Sequence, residues 1–224
     1  MIVALIVLAW FSGYLINVAS DYLPVFSKSP VERHAISKPA LFQSFLLQQW
    51  SDWFYLHLAV ELVTPLFWCY MWLYRPEDGI ILAISYYFFV LITIIDLKYR
   101  LILNIVTYPA FGVIMGIHFF LHEVNPATIL GGIFAFSIFF LTATLKPGTL
   151  GGGDIKLAAL IGFVFGFPSI LWALIVATGT GALGAICIFL SRSDRSTRVY
   201  IPYAPFLSLG ALVALLYNPL IGMY

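Results

Sequence analysis

Two aspartates stand at the ends of apolar stretches, where a carboxylate is costly and therefore points to chemistry. Asp96 closes the stretch VLITIIDLKYR, and Asp154 opens a later one in LGGGDIKLAALIG. An aspartyl hydrolase needs two carboxyl groups, because one must be ionised to activate water while the other keeps its proton and polarises the scissile carbonyl. Like charges held close together resist ionising together, so such a pair shares one proton. We therefore predict that Asp96 and Asp154 form a catalytic pair.

Three glycines, Gly151, Gly152 and Gly153, directly precede Asp154. Because they lack a Cβ, they let another backbone approach and offer peptide groups to an extended substrate strand. The simpler alternative is a flexible turn before a helix that Asp154 caps at its N-terminus. A phosphate-binding loop is excluded, since the GxxxxGK(S/T) spacing is absent from the sequence.

Other polar residues in apolar surroundings are secondary candidates. Glu61 either positions substrate or holds a helix through a hydrogen bond. Lys156, two residues after Asp154, either acts on the carboxyl pair or substrate, or is an ordinary flanking lysine. His118 and His122 have the i, i+4 spacing of metal ligands, but they fall at the opposite end of their span from the aspartates. We therefore predict no metal site.

The composition defines the elements that must position these residues. The chain has 224 residues, of which 62% are hydrophobic and 9% charged, and its mean hydropathy is +1.00. Soluble domains carry about 25% charged residues, so a soluble enzyme is excluded. The formal charge of +1 comes from scattered basic residues, which argues against a nucleic-acid partner. The expected fold class is an all-α, polytopic membrane helix bundle, with residues 1–224 forming a single domain in the lipid bilayer.

Apolar runs of about 20 residues, long enough to cross a hydrocarbon core of about 30 Å, predict eight transmembrane helices. The sixth run is short and glycine-rich, and it is expected to be tilted, broken or merged with the seventh. The predicted spans are 1–20, 54–74, 79–96, 101–121, 127–145, 155–168, 169–190 and 203–221.

The basic residues predict an orientation with the N-terminus outside. In that topology Arg75 is the only one of the 11 lysines and arginines that lies outside, as the positive-inside rule requires. Asp96 and Asp154 then share the cytoplasmic face, and residues 21–53 form a short cytoplasmic loop. The first run has no basic residue before it, so we expect a retained helix and not a cleavable signal peptide.

Five stretches together resemble the type IV prepilin peptidases, membrane aspartyl proteases of the GxGD type. Presenilins and archaeal preflagellin peptidases share the GxGD motif. The stretches are GYLINVASDYLP (13–24), VELVTPLF (60–67), DLKYRLILNIVTYP (96–109), GTLGGGDIKLAALIG (148–162) and IPYAPFLSLGA (201–211).

The resemblance implies roles for individual residues. Asp96 and Asp154 match the two catalytic aspartates, Asn17 lies in the first-helix signature, Glu61 matches a glutamate of the family, and Lys156 fits the GxGD stretch. It also implies cleavage of a short basic leader from prepilins or pseudopilins at the cytoplasmic side of the bacterial inner membrane. The products would feed a type IV pilus or a type II secretion machinery, and proteolysis would need no cofactor.

Two departures from the family pattern concern the finer roles. Asn104 stands where the family usually has Asp, and it can exchange hydrogen bonds but cannot ionise. Many members carry paired CxxC motifs in the first cytoplasmic loop, whereas residues 21–53 contain no cysteine. A zinc site is therefore not expected, and N-methylation with S-adenosylmethionine is left open.

Two other functions remain as alternatives. The carboxylates of a small transporter could form a proton or cation relay, although both aspartates sit at one face and no repeated halves are visible. A presenilin-like or preflagellin-type intramembrane protease would share the chemistry but not the substrate.

Overall fold

The structure of the chain is a computed structural model, and all regular structure in the residues it describes is α-helical. This confirms the predicted all-α class. The chain forms two compact units, Met1–Tyr99 and Arg100–Tyr224, which are described in turn. The described residues are 2–27, 53–74, 79–120, 125–146, 150–191 and 203–220.

The first unit contains α1 (Ile2–Ser27), α2 (Phe54–Tyr74) and α3 (Gly79–Tyr99). Helix α1 packs against both α2 and α3. Its approach to α2 is close at Gly13, where a Cβ would lie 3.1 Å from Thr64 Oγ1. The absence of a side chain therefore lets the two helices touch.

Helix α1 is longer than the predicted first span, so the expectation of a loop beginning at residue 21 is wrong for residues 21–27. The physical reason is that Ser20 and Asp21 have a partner on α3, since Lys98 donates hydrogen bonds to both. Those contacts stabilise the additional helical turns, and Pro24 is accommodated within them. The rest of the predicted loop, 28–52, lies outside the described residues.

The second unit contains α4 (Asn104–Phe120), α5 (Pro126–Leu145), α6 (Gly152–Phe165), α7 (Ile170–Leu190) and α8 (Ala204–Leu216). Helix α6 packs mainly against α5, and α8 packs mainly against α7. Glycines form both contacts, because a Cβ on Gly131 would lie 2.5 Å from the Gly162 carbonyl oxygen, and one on Gly210 would lie 2.8 Å from Ala177 Cβ. Small residues allow helix axes to approach in this way.

The sixth and seventh predicted spans are separate helices in the structure. Gly166 has φ of 69°, a left-handed conformation that favours glycine. Its N–H donates to the Gly162 carbonyl at 2.9 Å and ends α6. Pro168 then lies between the helices, and α7 begins at Ile170. The expected possibility of a merged helix is therefore wrong, because the chain turns at Gly166.

Five of the eight helices in the described part of the chain are long and apolar enough to cross a membrane. These are α1, α2, α3, α5 and α7. Helices α4, α6 and α8 have 17, 14 and 13 residues, and at about 1.5 Å per residue the shortest reaches only about 20 Å. The chain is a multi-pass membrane protein, while its orientation stays a prediction.

Candidate active site

Asp96 lies in the last turn of α3, three residues before the end of the helix. The preceding residues are apolar and tightly packed, with Ile94 and Ile95 each 1% exposed. Asp96 itself is 5% exposed. Helix α3 ends where Arg100 adopts a left-handed conformation with φ of 54°. The apolar packing of the helix therefore places a carboxyl group in a largely water-excluded position, where its retention calls for a functional or structural reason.

Asp154 is the third residue of α6, and its carboxyl group folds back onto the start of the helix. The N–H of Gly151 donates to Asp154 Oδ2 at 3.2 Å, and the N–H of Asp154 donates to the Gly151 carbonyl at 3.1 Å. Gly151 thus occupies the N-cap position, and Asp154 caps the helix start from the third helical position, through its carboxyl group. The cause is that Gly152 and Gly153 are already helical.

The environment of Asp154 favours the protonated form. The residue precedes the predicted membrane-spanning stretch 155–168 and is half-buried. Burial raises the pKa of its carboxyl group above the ordinary value, because the charged form loses hydration, and the hydrogen bond from Gly151 lowers it again in part. Such an environment suits a carboxyl group that must hold a proton.

The three glycines before Asp154 meet different surroundings. A Cβ on Gly153 would lie 2.7 Å from Ile102 Cβ, whereas one on Gly152 would meet nothing within 4 Å. Gly153 therefore lets the first turn of α6 contact the segment that precedes α4. Gly151 and Gly152 are exposed.

The structure brings together Lys156, predicted to belong to the active-site loop, and Asn104, a possible supporting residue. Lys156 Nζ donates to Asn104 Oδ1 at 2.9 Å and to Tyr108 Oη at 3.0 Å, and it lies 4.9 Å from the centre of the Tyr108 ring. Both hydrogen-bond acceptors are neutral, so these contacts do not pair Lys156 with a negative charge. Asn104 accepts the hydrogen bond without having to ionise.

Glu61 and Asn17, the other two possible supporting residues beside Asn104, are also neighbours. Asn17 Nδ2 donates to Glu61 Oε1 at 3.2 Å and to the His57 carbonyl at 3.1 Å. Asn17 is buried and Glu61 is half-buried. These bonds tie α1 to α2, which agrees with the helix-holding role considered for Glu61.

Sequence reasoning missed a polar cluster in the first unit and a tyrosine in the second. The cluster joins Ser20 and Asp21 of α1, His57 of α2 and Lys98 of α3. The tyrosine is Tyr203, which precedes α8 and interacts electrostatically with Asp154. The only signal in the sequence was that each of these residues borders an apolar stretch, and nothing there indicates which of them meet.

The remaining site predictions divide between the two units. Asp96 lies in the first unit and Asp154 in the second, and their pairing stays a prediction. His118 lies in α4, while His122 lies outside the described residues. Among the residues that the structure describes, no group of three or more His, Cys, Asp or Glu side chains is arranged to hold a metal ion.

Comparison with known proteins adds evidence of a different kind. Residues 83–188 match the family model described as the type IV leader peptidase family. Three curated proteins with the name prepilin leader peptidase/N-methyltransferase are similar to the chain. The protein from Bacillus subtilis (strain 168) is 37% identical over 93 residues, which cover 41% of this chain and 37% of that protein.

The other two relatives match over longer stretches. The Vibrio cholerae protein is 28% identical over 138 residues, 57% of this chain and 52% of that protein. The protein from Xanthomonas campestris pv. campestris is 29% identical over 146 residues, 61% of this chain and 50% of that protein. The matched stretches thus span between 37% and 52% of the length of these relatives. No solved structure matches the chain.

Proposed function

We propose that this chain is a membrane aspartyl endopeptidase of the type IV leader peptidase family, whose model matches residues 83–188. Its substrates are type IV prepilins or pseudopilins, from which it removes the leader peptide. The observation that carries this proposal is that the matched region contains both Asp96 and Asp154. Asp96 lies near the end of an apolar helix and is buried, and Asp154 lies at the start of another and is half-buried.

In the proposed mechanism the two carboxyl groups share one proton. The ionised group takes a proton from water as the water attacks the scissile carbonyl, and the protonated group gives its proton to the carbonyl oxygen, which forms a tetrahedral diol. The diol then collapses: its C–N bond breaks as the amine nitrogen takes the proton from the first carboxyl group, and the second carboxylate recovers a proton from a diol hydroxyl, so that the pair again holds one proton. Burial raises the pKa of Asp154, which suits a carboxyl group that carries the shared proton in part of the cycle. No covalent intermediate forms, so reagents that modify serine or cysteine nucleophiles leave the activity intact.

The exposed turn at Gly151 and Gly152 supports a role in substrate binding. A peptide bond can be cleaved only when its carbonyl is accessible, which requires the substrate to leave the helical conformation locally. Peptide groups of such an exposed glycine turn can hydrogen-bond to an extended strand. Lys156 lies two residues after Asp154 and adds a positive charge beside this turn.

The topology predicted from the basic residues assigns the reaction to the cytoplasmic side of the bacterial inner membrane. The leader would then be cleaved where it leaves the membrane, at the border of the substrate's hydrophobic segment. The mature products would be delivered to the machinery of a type IV pilus or of type II secretion.

The test is cleavage of a purified prepilin by Asp96→Asn and Asp154→Asn in detergent or liposomes. Asparagine keeps the size and hydrogen bonding of aspartate but cannot ionise, so each variant should lose about a thousandfold or more of the cleavage rate. Asp194→Asn, in a stretch that the sequence predicts to be a solvated turn, is the matched control and should cleave normally. Normal processing by either active-site variant would defeat the proposal.

The same preparation separates the alternatives. A transporter with a carboxylate relay would move a solute across proteoliposomes without cleaving any peptide. An intramembrane protease of the presenilin or preflagellin kind would cleave a plain transmembrane peptide as well as a prepilin. We expect cleavage of the prepilin alone.

The names of the relatives also include N-methyltransferase, a reaction for which S-adenosylmethionine would supply the methyl group. By resemblance that activity is linked to the first cytoplasmic segment, most of which lies outside the described residues. No residue of this chain is therefore assigned to it. A labelled methyl donor in the cleavage assay measures it independently of proteolysis.

A further inference from the structure

A buried ion pair in the first unit joins three helices close to Asp96. Lys98 Nζ donates to Asp21 Oδ1 at 2.5 Å and to Ser20 Oγ at 2.8 Å, and it lies 2.6 Å from His57 Nε2. The Lys98 side chain is 1% exposed and that of Asp21 is 18% exposed. We call Ser20, Asp21, His57 and Lys98 the Lys98 cluster.

The Lys98 cluster satisfies the ammonium group completely. A protonated lysine has three N–H donors and no acceptor, and the cluster supplies a carboxylate, a hydroxyl and an imidazole nitrogen. His57 Nε2 must therefore accept, which leaves the ring neutral with its proton on Nδ1. Since the acceptors come from α1 and α2, the end of α3 is held from two sides.

The cluster also continues across the neighbouring helices. Ser20 Oγ donates to the Asn17 carbonyl at 2.7 Å, and Asn17 Nδ2 reaches both the His57 carbonyl and Glu61 Oε1. A displacement of α3 at Lys98 would therefore disturb a hydrogen-bonded chain that extends to Glu61. Such linked networks are more rigid than isolated contacts.

We propose that the Lys98 cluster is a positioning device for Asp96, an inference that rests on the proposed function. Lys98 follows Asp96 by two residues in the last turn of α3, and side chains two positions apart on a helix point to different sides. The cluster thus binds one side of the end of α3, and the Asp96 carboxyl group lies on a different side of the same helix. Asp21 also neutralises Lys98, so that Asp96 is not exposed to an unbalanced positive charge.

The experiment compares Lys98→Met, Asp21→Asn and the double variant in prepilin cleavage, with the amount of folded protein measured by thermal unfolding. Each single variant should lower kcat per folded molecule about tenfold while KM changes by less than about twofold, because misplacement affects the reacting geometry more than binding. The double variant should also lose about tenfold, since both substitutions remove the same contact. Unchanged kcat in the single variants, or losses that multiply in the double variant, would overturn the proposal.

The pH profile supplies a readout that a purely structural role would not change. Asp21→Asn leaves the Lys98 charge unbalanced, which favours ionised Asp96 and moves the acid limb of the profile to lower pH. The double variant carries neither charge, so its acid limb should coincide with that of the parent. His57, Glu61 and Tyr99, which are ionisable groups of the described part of the first unit, are the same in all variants. Equal acid limbs in the parent and Asp21→Asn would contradict the proposal.

A second measurement covers the case in which Lys98→Met does not fold. Lys98→Ala leaves a space among three hydrogen-bond acceptors, and propylammonium added to the assay can place a cation there. A several-fold gain in kcat for Lys98→Ala, but not for Lys98→Ala combined with Asp21→Asn, supports positioning by the cation. No gain in Lys98→Ala overturns the proposal. Failure of the proposed function is recognised separately: in that case Asp96→Asn and Asp154→Asn cleave normally, whatever the Lys98 variants do.

Discussion

Two glycines next to Asp154 differ in the space that is available for a side chain at the start of α6. Gly153 is in contact with Ile102, and its neighbour Gly152 is open to its surroundings. Both are helical glycines in the same turn, so their backbone requirements are alike. Any difference between them must come from what a methyl group would touch.

Gly153→Ala should therefore impair cleavage more than Gly152→Ala does. The alanine Cβ at position 153 would lie 2.7 Å from Ile102 Cβ, which no side-chain rotation relieves, and overpacking of this kind costs about 1–3 kcal/mol. The first turn of α6 must shift and carry Asp154 with it. The measurement is the cleavage rate of both variants at equal amounts of folded protein. Equal rates would show that the contact with Ile102 does not matter.

The hydrogen bond from Gly151 to Asp154 predicts a pH effect. A bond to the ionised carboxyl group lowers the pKa of Asp154, against the raising effect of burial, so its removal should raise that pKa further. Because the active pair holds one proton, cleavage declines as the pH rises through the upper pKa of the pair. Gly151→Pro, which has no N–H, should move the alkaline limb of the profile to higher pH.

Gly151→Ala is the control for this prediction. It adds a Cβ at the same position but keeps the N–H, and Gly151 has φ of −76°, which suits proline and alanine alike. Both variants crowd Asp154 Oδ2, which lies 3.2 Å from the added Cβ. The difference between their alkaline limbs therefore reports the hydrogen bond alone, and identical limbs would refute its effect on the pKa.

At the scale of helices, glycine contacts hold the second unit together. Helices α5 and α6 meet where Gly131 and Gly162 face each other backbone to backbone. Between apolar helices in lipid, close packing of this kind replaces the hydrophobic drive that acts in water. Helix α6 carries Asp154, so this packing also supports the candidate site.

Gly162→Ala should destabilise the protein, and Gly112→Ala should not. An added Cβ at Gly162 would collide with the Gly131 carbonyl, while one at Gly112 in α4 meets nothing within 4 Å. The first change costs about 1–3 kcal/mol by overpacking, whereas the second gains about 0.5–1 kcal/mol of helix propensity. Thermal unfolding in detergent should show Tm shifts of opposite sign. A shared direction would mean that helix propensity outweighs the contact.

At the scale of the whole molecule, orientation in the membrane decides which compartment supplies water and substrate. The positive-inside rule assigns residues 192–198 to the cytoplasm and the segment around His122 to the outside. The rule depends on charges near the ends of the spans, and the chain has very few charged residues to contradict it.

Cysteine labelling tests this orientation directly. In a background with Cys69→Ala and Cys187→Ala, a membrane-impermeant maleimide applied to intact spheroplasts should label His122→Cys. Ser193→Cys should be labelled only after the membrane is permeabilised. The reverse pattern would place Asp96 and Asp154 at the outer face and would rule out cleavage in the cytoplasm.

The sequence by itself determined that this is a helical membrane protein, approximately where its helices lie, and which two aspartates are candidates for catalysis. Hydropathy, charge bias and short motifs are properties of neighbouring residues, so they can be read without knowing the fold. Helix ends were less predictable: α1 runs to Ser27 because Asp21 finds a partner 77 residues away.

Only the tertiary structure decided which distant side chains meet. Lys98 with His57, Lys156 with Asn104 and Gly153 with Ile102 are contacts between helices or between a helix and a turn. Each depends on how the helices pack and rotate against one another, and that follows from the shapes of many side chains at once. A one-dimensional pattern carries no information on such an arrangement.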